Sequence, residues 1–238
     1  MIKVIGIGPG SQNLMTKAAI DAIEESEVIV GYKTYIDLIR PMLDQQEIIS
    51  NGMRGEVERC LEAVKIAQTG KTVAVISSGD AGVYGMAGLV YELAQTDEEI
   101  EVIPGVTAST AGAALLGAPL MHDFCHISLS DLMTPIDQIM RRVKAAAETN
   151  FVICLYNPKS HGRPDYIGQA LSLIKEAQGN SILVGIAKNV GRSNESTHVF
   201  LIDEVNLDLI DMTSVVIVGN KETKLIGDKM VTPRGYQV

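Results

Sequence analysis

Gly6-Ile7-Gly8-Pro9-Gly10, near the start of the chain, follows the apolar run Ile2–Ile7. Two further glycine turns, Ser77–Val83 and Ile103–Ala108, also follow short apolar runs. Glycine lets a backbone turn sharply or approach a ligand closely. The carboxyl ends of parallel strands form the usual ligand crevice of an open α/β sheet. We therefore expect the three turns to lie together and to share one ligand.

Composition excludes several classes of protein. The chain has 238 residues, 46% of them apolar, which is enough for one large domain or two small ones. No apolar run is long enough to span a membrane and no signal-peptide pattern opens the chain, so we expect a cytoplasmic protein without membrane contact. A net charge of -9, no Trp and three Phe argue against nucleic-acid binding. Cys60, Cys125 and Cys154 are too few and too scattered for a disulfide framework or a cysteine-built metal site.

The fold class predicted from periodicity is α/β with two α/β domains, residues 1–117 and 122–238. Apolar strand runs alternate with helical spacing in the first half, which indicates a mostly parallel sheet covered by helices on both faces. Late strands that follow one another without a helix indicate a mixed, partly antiparallel sheet in the second half. We also expect a helix over Val83–Ala94 and a loosely held tail from Lys221 onwards.

The first turn does not fit a dinucleotide site well. Its spacing is G-x-G-x-G rather than G-x-G-x-x-G, and Pro9 removes a backbone donor that a pyrophosphate would need. Gly31-Tyr32-Lys33 stands where a ribose-binding carboxylate would be expected. A nicotinamide-dependent oxidoreductase is therefore the less favoured alternative.

The three turns together resemble the tetrapyrrole (precorrin) methylase family, and the likeness covers nearly the whole chain. Further stretches are similar to the branch of that family in cobalamin synthesis that methylates C17 of precorrin-3B or cobalt-factor III and contracts the ring: Gly31–Tyr35, His122–Phe124, Ser128–Leu132, Leu155–Ser160 and Ile186–Arg192. The resemblance implies two α/β domains with S-adenosyl-L-methionine in the cleft between them, a tetrapyrrole substrate and a homodimer. Methylation at a different ring carbon, another acceptor and a non-enzymatic corrinoid binder remain open alternatives.

The resemblance also assigns the cofactor's contacts. The residues expected to line it are Pro9, Ser78, Gly79, Asp80, Val83, Thr107, Ala108, Asn157 and Ala187. For Asp80, a simple helix cap is the alternative. Ala81 departs from the family, which often has Pro there. The chemistry agrees, because a sulfonium donor has no phosphates to anchor and needs alignment and exclusion of water rather than a metal.

A polycarboxylate substrate needs local cations on an acidic protein. Basic residues expected in loops beside the ligand are Lys33, Lys159, His161, Arg163, Lys188 and Arg192, and we expect Ser128 and Ser130 to contact the substrate too. Ser128, Ser130 and Asp131 could instead cap the helix that begins near Pro135. Lys33, His122 and Asp131 are the candidates for proton transfer, although related methylases carry an Asp at the position of Lys33. No metal site is expected.

Overall fold

The computed structural model describes residues 1–52, 55–94, 99–160, 162–163 and 165–237. The chain forms two compact units, Met1–Ala108 and Ser109–Val238. The domain boundary expected at residues 117–122 rests on a break in the sequence pattern and stays a prediction.

The first unit is built on a five-stranded parallel sheet with the strand order β3-β2-β4-β1-β5. Its strands are β1 (Ile2–Gly6), β2 (Val28–Tyr32), β3 (Glu47–Asn51), β4 (Val73–Ser77) and β5 (Ile100–Ile103). Its helices are α1 (Lys17–Glu24), α2 (Lys33–Ile39), α3 (Glu56–Ala67) and α4 (Ala87–Leu93).

Helices cover both faces of this sheet, as the continuous apolar strands predict. Ile5 and Ile29 pack on one face against α1 and α2, whereas Val4 and Val75 pack on the other against α3 and α4. Thr16 caps α1, its hydroxyl accepting from the Ala19 amide. Burial on both faces explains why β1 and β4 are apolar at almost every position.

The connections that leave β1 and β4 cross the sheet in opposite directions. From β1 the chain runs through α1 to β2, whereas from β4 it runs through α4 to β5 on the other side of β1. The two adjacent strands therefore send their chains in opposite directions, on opposite faces of the sheet. This is the switch point at which open α/β sheets bind ligands.

Helix α4 begins at Ala87, four residues later than predicted. Tyr84 has a φ of 54°, in the left-handed region, which interrupts helical backbone. A Cβ atom at Gly85 would lie 2.5 Å from the Ala81 carbonyl oxygen, so the chain between β4 and α4 folds closely on itself. Val83 consequently lies in the turn rather than in a helix.

The second unit contains a five-stranded mixed sheet with the order β10-β9-β11-β8-β7, as predicted. Its strands are β7 (Phe124–Ser128), β8 (Val152–Tyr156), β9 (Leu183–Lys188), β10 (Ser196–Leu201) and β11 (Ser214–Val218). Only the β7–β8 pair among these is parallel. Helices α6 (Ile136–Glu148) and α7 (Tyr166–Gln178) cover one face. Helix α5 (Ala108–Leu116) packs on Val215 and Ala187 through Gly112, where a Cβ atom would lie within 3.0 Å of both.

The prediction of a loosely held tail is wrong. Strands β12 (Lys224–Ile226) and β13 (Lys229–Val231) form a hairpin, and β13 pairs in parallel with the short strand β6 (Gly117–Ala118). Met230 and Thr232 are fully buried. The Thr232 hydroxyl lies 2.8 Å from that of Thr223, so the tail is held by packing and by hydrogen bonds.

The described residues include no helix long and apolar enough to cross a membrane. Within the same residues, no group of three or more His, Cys, Asp or Glu side chains is arranged to hold a metal ion. Cys60 and Cys154 are buried, and burial raises the pKa of their thiols to about 11 and about 12. These two thiols pack as small apolar groups and are poor nucleophiles.

Candidate functional site

The first two glycine turns are joined by a reciprocal pair of backbone hydrogen bonds. The Gly8 amide donates to the Gly79 carbonyl over 3.0 Å, and the Gly79 amide donates to the Gly8 carbonyl over 2.8 Å. Both residues have positive φ, 73° and 70°, which glycine adopts without strain. The expected proximity of these two turns is confirmed, and the turns meet at the switch point between β1 and β4.

The third turn packs against the other two, backbone to backbone. A Cβ atom at Gly105 would overlap the Gly79 carbonyl oxygen and lie 2.5 Å from the Gly6 carbonyl oxygen. Thr107 and Ala108 come shortly after Gly105 and pass over Gly79, because a Cβ atom added at Gly79 would lie 3.8 Å from the Ala108 nitrogen. The three turns thus form one surface.

Asp80 holds the second and third turns together. Its Oδ2 accepts from the Gly105 amide over 2.9 Å, and its Oδ1 accepts from the Gly82 amide over 2.8 Å. The residue does not cap a helix, because α4 begins only at Ala87. A carboxylate offers about four acceptor positions, so these two bonds leave capacity for a ligand donor.

The other residues predicted to line the cofactor in the first unit lie around the same surface. Pro9 is buried beside the Gly8–Gly79 bridge, whereas Ser78, Val83 and Thr107 are partly buried. Ser78 follows the last residue of β4 and precedes Gly79. The turns therefore bring together the residues from all three sequence motifs.

A second cluster forms at the carboxyl ends of β7 and β8. The Ser128 hydroxyl accepts from Asn157 Nδ2 over 3.0 Å and from the Ser130 amide over 3.2 Å. The parallel register places Ser128 opposite Tyr156, which precedes Asn157. Asn157 has a φ of 50°, a conformation that Asn tolerates better than most residues. The structure thus brings Ser128, Ser130 and Asn157 together.

Asp131 anchors the loop that follows β7. Its Oδ2 accepts from the Tyr166 hydroxyl over 2.8 Å, and its Oδ1 lies 3.6 Å from Arg163 Nη1. The hydrogen bond to Asp131 raises the pKa of Tyr166, because only the protonated phenol can donate it. Arg163 also donates from Nε to the Ser160 hydroxyl over 3.1 Å. Helix α6 takes Pro135 as its N-cap, so neither serine of this loop nor Asp131 caps it.

The remaining predicted basic residues of this unit have protein partners of their own. Lys188 Nζ lies 2.6 Å from Asp211 Oδ2, and Lys159 Nζ donates to the Leu207 carbonyl over 2.9 Å. Burial acts to raise the pKa of Asp211, but hydrogen bonds from Lys188 and Thr213 outweigh it and the pKa is lowered. Lys188 is the last residue of β9 rather than a loop residue, which corrects the prediction.

Two further residues predicted to contact a ligand lie in β9 and in the turn that follows it. Ala187 is fully buried in β9, beneath Gly112 of α5. Arg192 is partly buried in the turn after β9, where its amide donates to Asn189. His161 lies outside the described residues.

Comparison with known proteins places the chain in a family. The model of the Tetrapyrrole (Corrin/Porphyrin) Methylases matches residues 1–206. The chain belongs to this family. Its fold agrees: the solved structure of the methyltransferase CobJ superposes with a TM-score of 0.93 at 34% identity, covering 98% of this chain and 99% of that one. The uroporphyrin-III C-methyl transferase from Thermus thermophilus, solved with S-adenyl homocysteine, has a TM-score of 0.68 at 20% identity over 92% of this chain and 96% of that one, which shows a shared fold.

Two curated tetrapyrrole methylases are similar over their whole length. The probable cobalt-factor III C(17)-methyltransferase of Salmonella typhimurium is 51% identical over 99% of both chains. The precorrin-3B C(17)-methyltransferase of Sinorhizobium sp is 38% identical, over 98% of this chain and 96% of its own.

The three candidates for proton transfer in this tetrapyrrole methylase are divided between the units: Lys33 belongs to the first, His122 and Asp131 to the second. Lys33 is exposed and begins α2 at the carboxyl end of β2, so it lies on a helix rather than in a loop. His122 is exposed before the amino end of β7, where its Nδ1 accepts from the Asp123 amide. Asp131 follows the opposite end of that strand. The structure therefore separates His122 from Asp131 by the length of β7.

Sequence reasoning missed a partly buried polar network that involves Ser109 of α5. The Ser109 hydroxyl lies 2.8 Å from His126 Nε2, and the Ser109 amide donates to the Tyr156 hydroxyl over 2.9 Å. The rings of His126 and Tyr156 lie 5.3 Å apart. Burial lowers the pKa of His126, which favours the neutral imidazole. The sequence did carry one signal: His126 and Ser128 are two residues apart in a strand, so their side chains lie on the same face.

Proposed function

We propose that this tetrapyrrole methylase transfers a methyl group from S-adenosyl-L-methionine to C17 of cobalt-factor III, with ring contraction, in cobalamin biosynthesis. The observation that carries the proposal is that three glycine turns join into one surface at the switch point of the sheet, in a chain that belongs to this family. The higher identity to the enzyme named for cobalt-factor III, 51% against 38%, favours that substrate over precorrin-3B.

The first unit suits the methyl donor. Gly79 has a φ of 70°, which glycine adopts without strain and which lets the second turn pair with the first. Pro9 removes one amide donor, which a phosphate would need and a sulfonium does not. The residues proposed to hold the donor there are Pro9, Ser78, Gly79, Asp80, Val83, Thr107 and Ala108. Asn157 and Ala187 of the second unit stay predictions.

The bound cofactor supplies a methyl group already activated by its sulfonium. The protein's tasks are to hold the acceptor carbon in line with the methyl carbon and to exclude water. The rigid backbone bridge between Gly8 and Gly79 and the clamp of Asp80 on Gly105 serve alignment, because they leave the turns little freedom to move. No metal ligand or activated nucleophile of the protein is required for this step.

The second unit suits a polycarboxylate macrocycle. Ser128 and Ser130 lie beside Asn157, and Arg163 of the neighbouring turn is bonded to Ser160 and to the Leu129 carbonyl. Lys159, Lys188 and Arg192 are proposed as further carboxylate contacts. A bound carboxylate would have to compete with Asp211 for Lys188, since that ion pair is already formed. Cobalt belongs to the substrate in this proposal and needs no site of its own on the protein.

We also propose that the protein forms a homodimer and that it binds neither nucleic acid nor a membrane. A methylase acting at a different ring carbon is the second candidate, favoured by the breadth of the family that the sequence matches.

The proposal is tested by incubating the protein with cobalt-factor III or precorrin-3B and isotopically labelled S-adenosyl-L-methionine. We expect one labelled methyl in the product and the absorption change of a contracted ring, with cobalt-factor III the better substrate. Pigment binding without methyl transfer would favour a corrinoid binder. Binding of a nicotinamide cofactor with no transfer would favour an oxidoreductase.

A further inference from the structure

The loop between β7 and α6 exposes two consecutive apolar side chains. Leu132 is 69% exposed and Met133 is 94% exposed, although Leu129, three residues earlier, is fully buried. Single exposed apolar residues are common on protein surfaces, whereas contiguous exposed apolar surface marks interaction sites.

The loop holds this pair in the open rather than letting it fold onto the core. The Ser130 amide is bound to Ser128, and Asp131 is bound to both Tyr166 and Arg163. On the other side, Pro135 fixes the start of α6. The exposed pair is therefore presented by a loop that is anchored on both sides.

A cationic group stands beside the apolar tip. Arg163 donates from Nη1 to the Leu129 carbonyl, which places its guanidinium at the base of the same loop. Among the residues that the structure describes, none accepts a hydrogen bond from Nη2 of Arg163. The Arg163 side chain is 13% exposed, and a substrate carboxylate that meets the Nη2 donors would share the planar guanidinium with Asp131.

An apolar tip beside an arginine fits a ligand with an apolar plane and a carboxylate at its edge. We propose that Leu132 and Met133 pack against the face of the carboxylated macrocycle while Arg163 binds one of its side-chain carboxylates. The inference rests on the proposed function and adds residues that determine binding of the acceptor. The flexible thioether of Met133 adapts to an irregular ring surface better than a branched side chain does.

The test compares the double variant Leu132→Ala/Met133→Ala with wild type. Its control is Leu225→Ala/Ile226→Ala, another adjacent pair that is 51% and 55% exposed but lies in the hairpin of β12 and β13. The dissociation constant of cobalt-factor III is measured by its absorption change in the presence of S-adenosylhomocysteine. Affinity for S-adenosylhomocysteine alone is measured by calorimetry, and the oligomeric state by sedimentation.

We expect the loop variant to weaken macrocycle binding about tenfold or more, since burying one large apolar side chain contributes enough for that factor. Affinity for S-adenosylhomocysteine should be unchanged, and the swap Leu132→Met/Met133→Leu should restore macrocycle binding. Unchanged macrocycle affinity in the loop variant would overturn the inference, and a simultaneous loss of self-association would assign the loop to a subunit interface. If wild type itself neither binds nor methylates the macrocycle, the proposed function fails first.

Discussion

At the residue scale, the site depends on the absence of side chains where the three turns meet. Gly105 is the tightest position, because a Cβ there would overlap the Gly79 carbonyl and crowd that of Gly6. Such overlap involves backbone atoms, which cannot move aside as the end of a flexible side chain can. Small backbone displacements at this point would therefore reach all three turns at once.

We expect Gly105→Ala to lower the free energy of unfolding by about 1–3 kcal/mol, the usual cost of overpacking. It should also weaken binding of S-adenosylhomocysteine, because the turns must separate. Gly88→Ala on α4 is the control, since its Cβ would meet nothing within 4 Å. Chemical denaturation and calorimetric titration measure both effects. Equal behaviour of the two variants would show that close packing of the turns is not needed.

Asp80 gives a second prediction at this scale. Replacing it with Ala leaves the Gly82 and Gly105 amides without their acceptor. We expect Asp80→Ala to reduce S-adenosylhomocysteine affinity about tenfold or more, as measured by calorimetry. Asp137→Ala, on the exposed face of α6, is the control. If Asp80→Ala binds the ligand as tightly as wild type, Asp80 has no role in the donor site.

His126 predicts how stability changes with pH. Burial lowers its pKa in the folded chain, whereas an unfolded His titrates near about 6.5. Between these two values the unfolded chain binds more protons, so the free energy of unfolding falls as pH drops below about 6.5.

His126→Gln removes this titration while keeping a polar side chain near Ser109. We expect the free energy of unfolding of this variant to depend less on pH than that of wild type from about pH 6.5 downwards. Urea denaturation at a series of pH values measures it, with His122→Gln as the exposed control. Identical pH dependence in wild type and His126→Gln would contradict the burial of a neutral imidazole.

At the scale of elements, the terminal hairpin is a structural part of the second unit. Met230 is fully buried and its sulfur would lie 3.2 Å from a Cβ at Gly185 in β9. We expect Met230→Ala to cost about 2–5 kcal/mol of unfolding free energy, the usual range for a buried Met. Leu225→Ala, half exposed on the same hairpin, should cost far less. A small effect of Met230→Ala in chemical denaturation would restore the view of a loose tail.

The sequence predicts those elements whose pattern is local. Strands β1 and β4 are buried on both faces, so their apolar runs are continuous and easily recognised. Strand β3 was missed, because only Ile48 and Ile49 of its five residues are apolar. Strand β13 was missed because its hairpin partner β12 is only three residues long and exposed, and because its other partner, Gly117–Ala118, lies more than a hundred residues away in the sequence.

The same distinction applies to the site. The meeting of the three turns could be predicted, since carboxyl ends of neighbouring parallel strands share one edge of a sheet. The bond from Gly105 to Asp80 spans 25 residues, and no local signal announces it. The anchoring of Arg163 by Asp131 could not be foreseen either, because a charged pair in a sequence does not reveal which partner it meets.

At the scale of the whole molecule, an acidic chain is proposed to bind an acidic substrate. The net charge of -9 opposes a polycarboxylate at long range, so affinity must come from local donors and apolar contact. The second unit carries Lys159, Arg163 and Arg192 in its turns and Lys188 at the end of β9. Each unit has its own sheet and core, which allows the residues for the donor and those for the macrocycle to be altered separately.

The most direct test is to identify the carbon that receives the methyl group. Cobalt-factor III is incubated with wild type and S-adenosyl-L-methionine labelled with ¹³C at its methyl, and the product is analysed by NMR. We predict a single enriched methyl on C17 of a contracted ring. A label on any other ring carbon, or no transfer by a protein that binds both ligands, would contradict the proposed function.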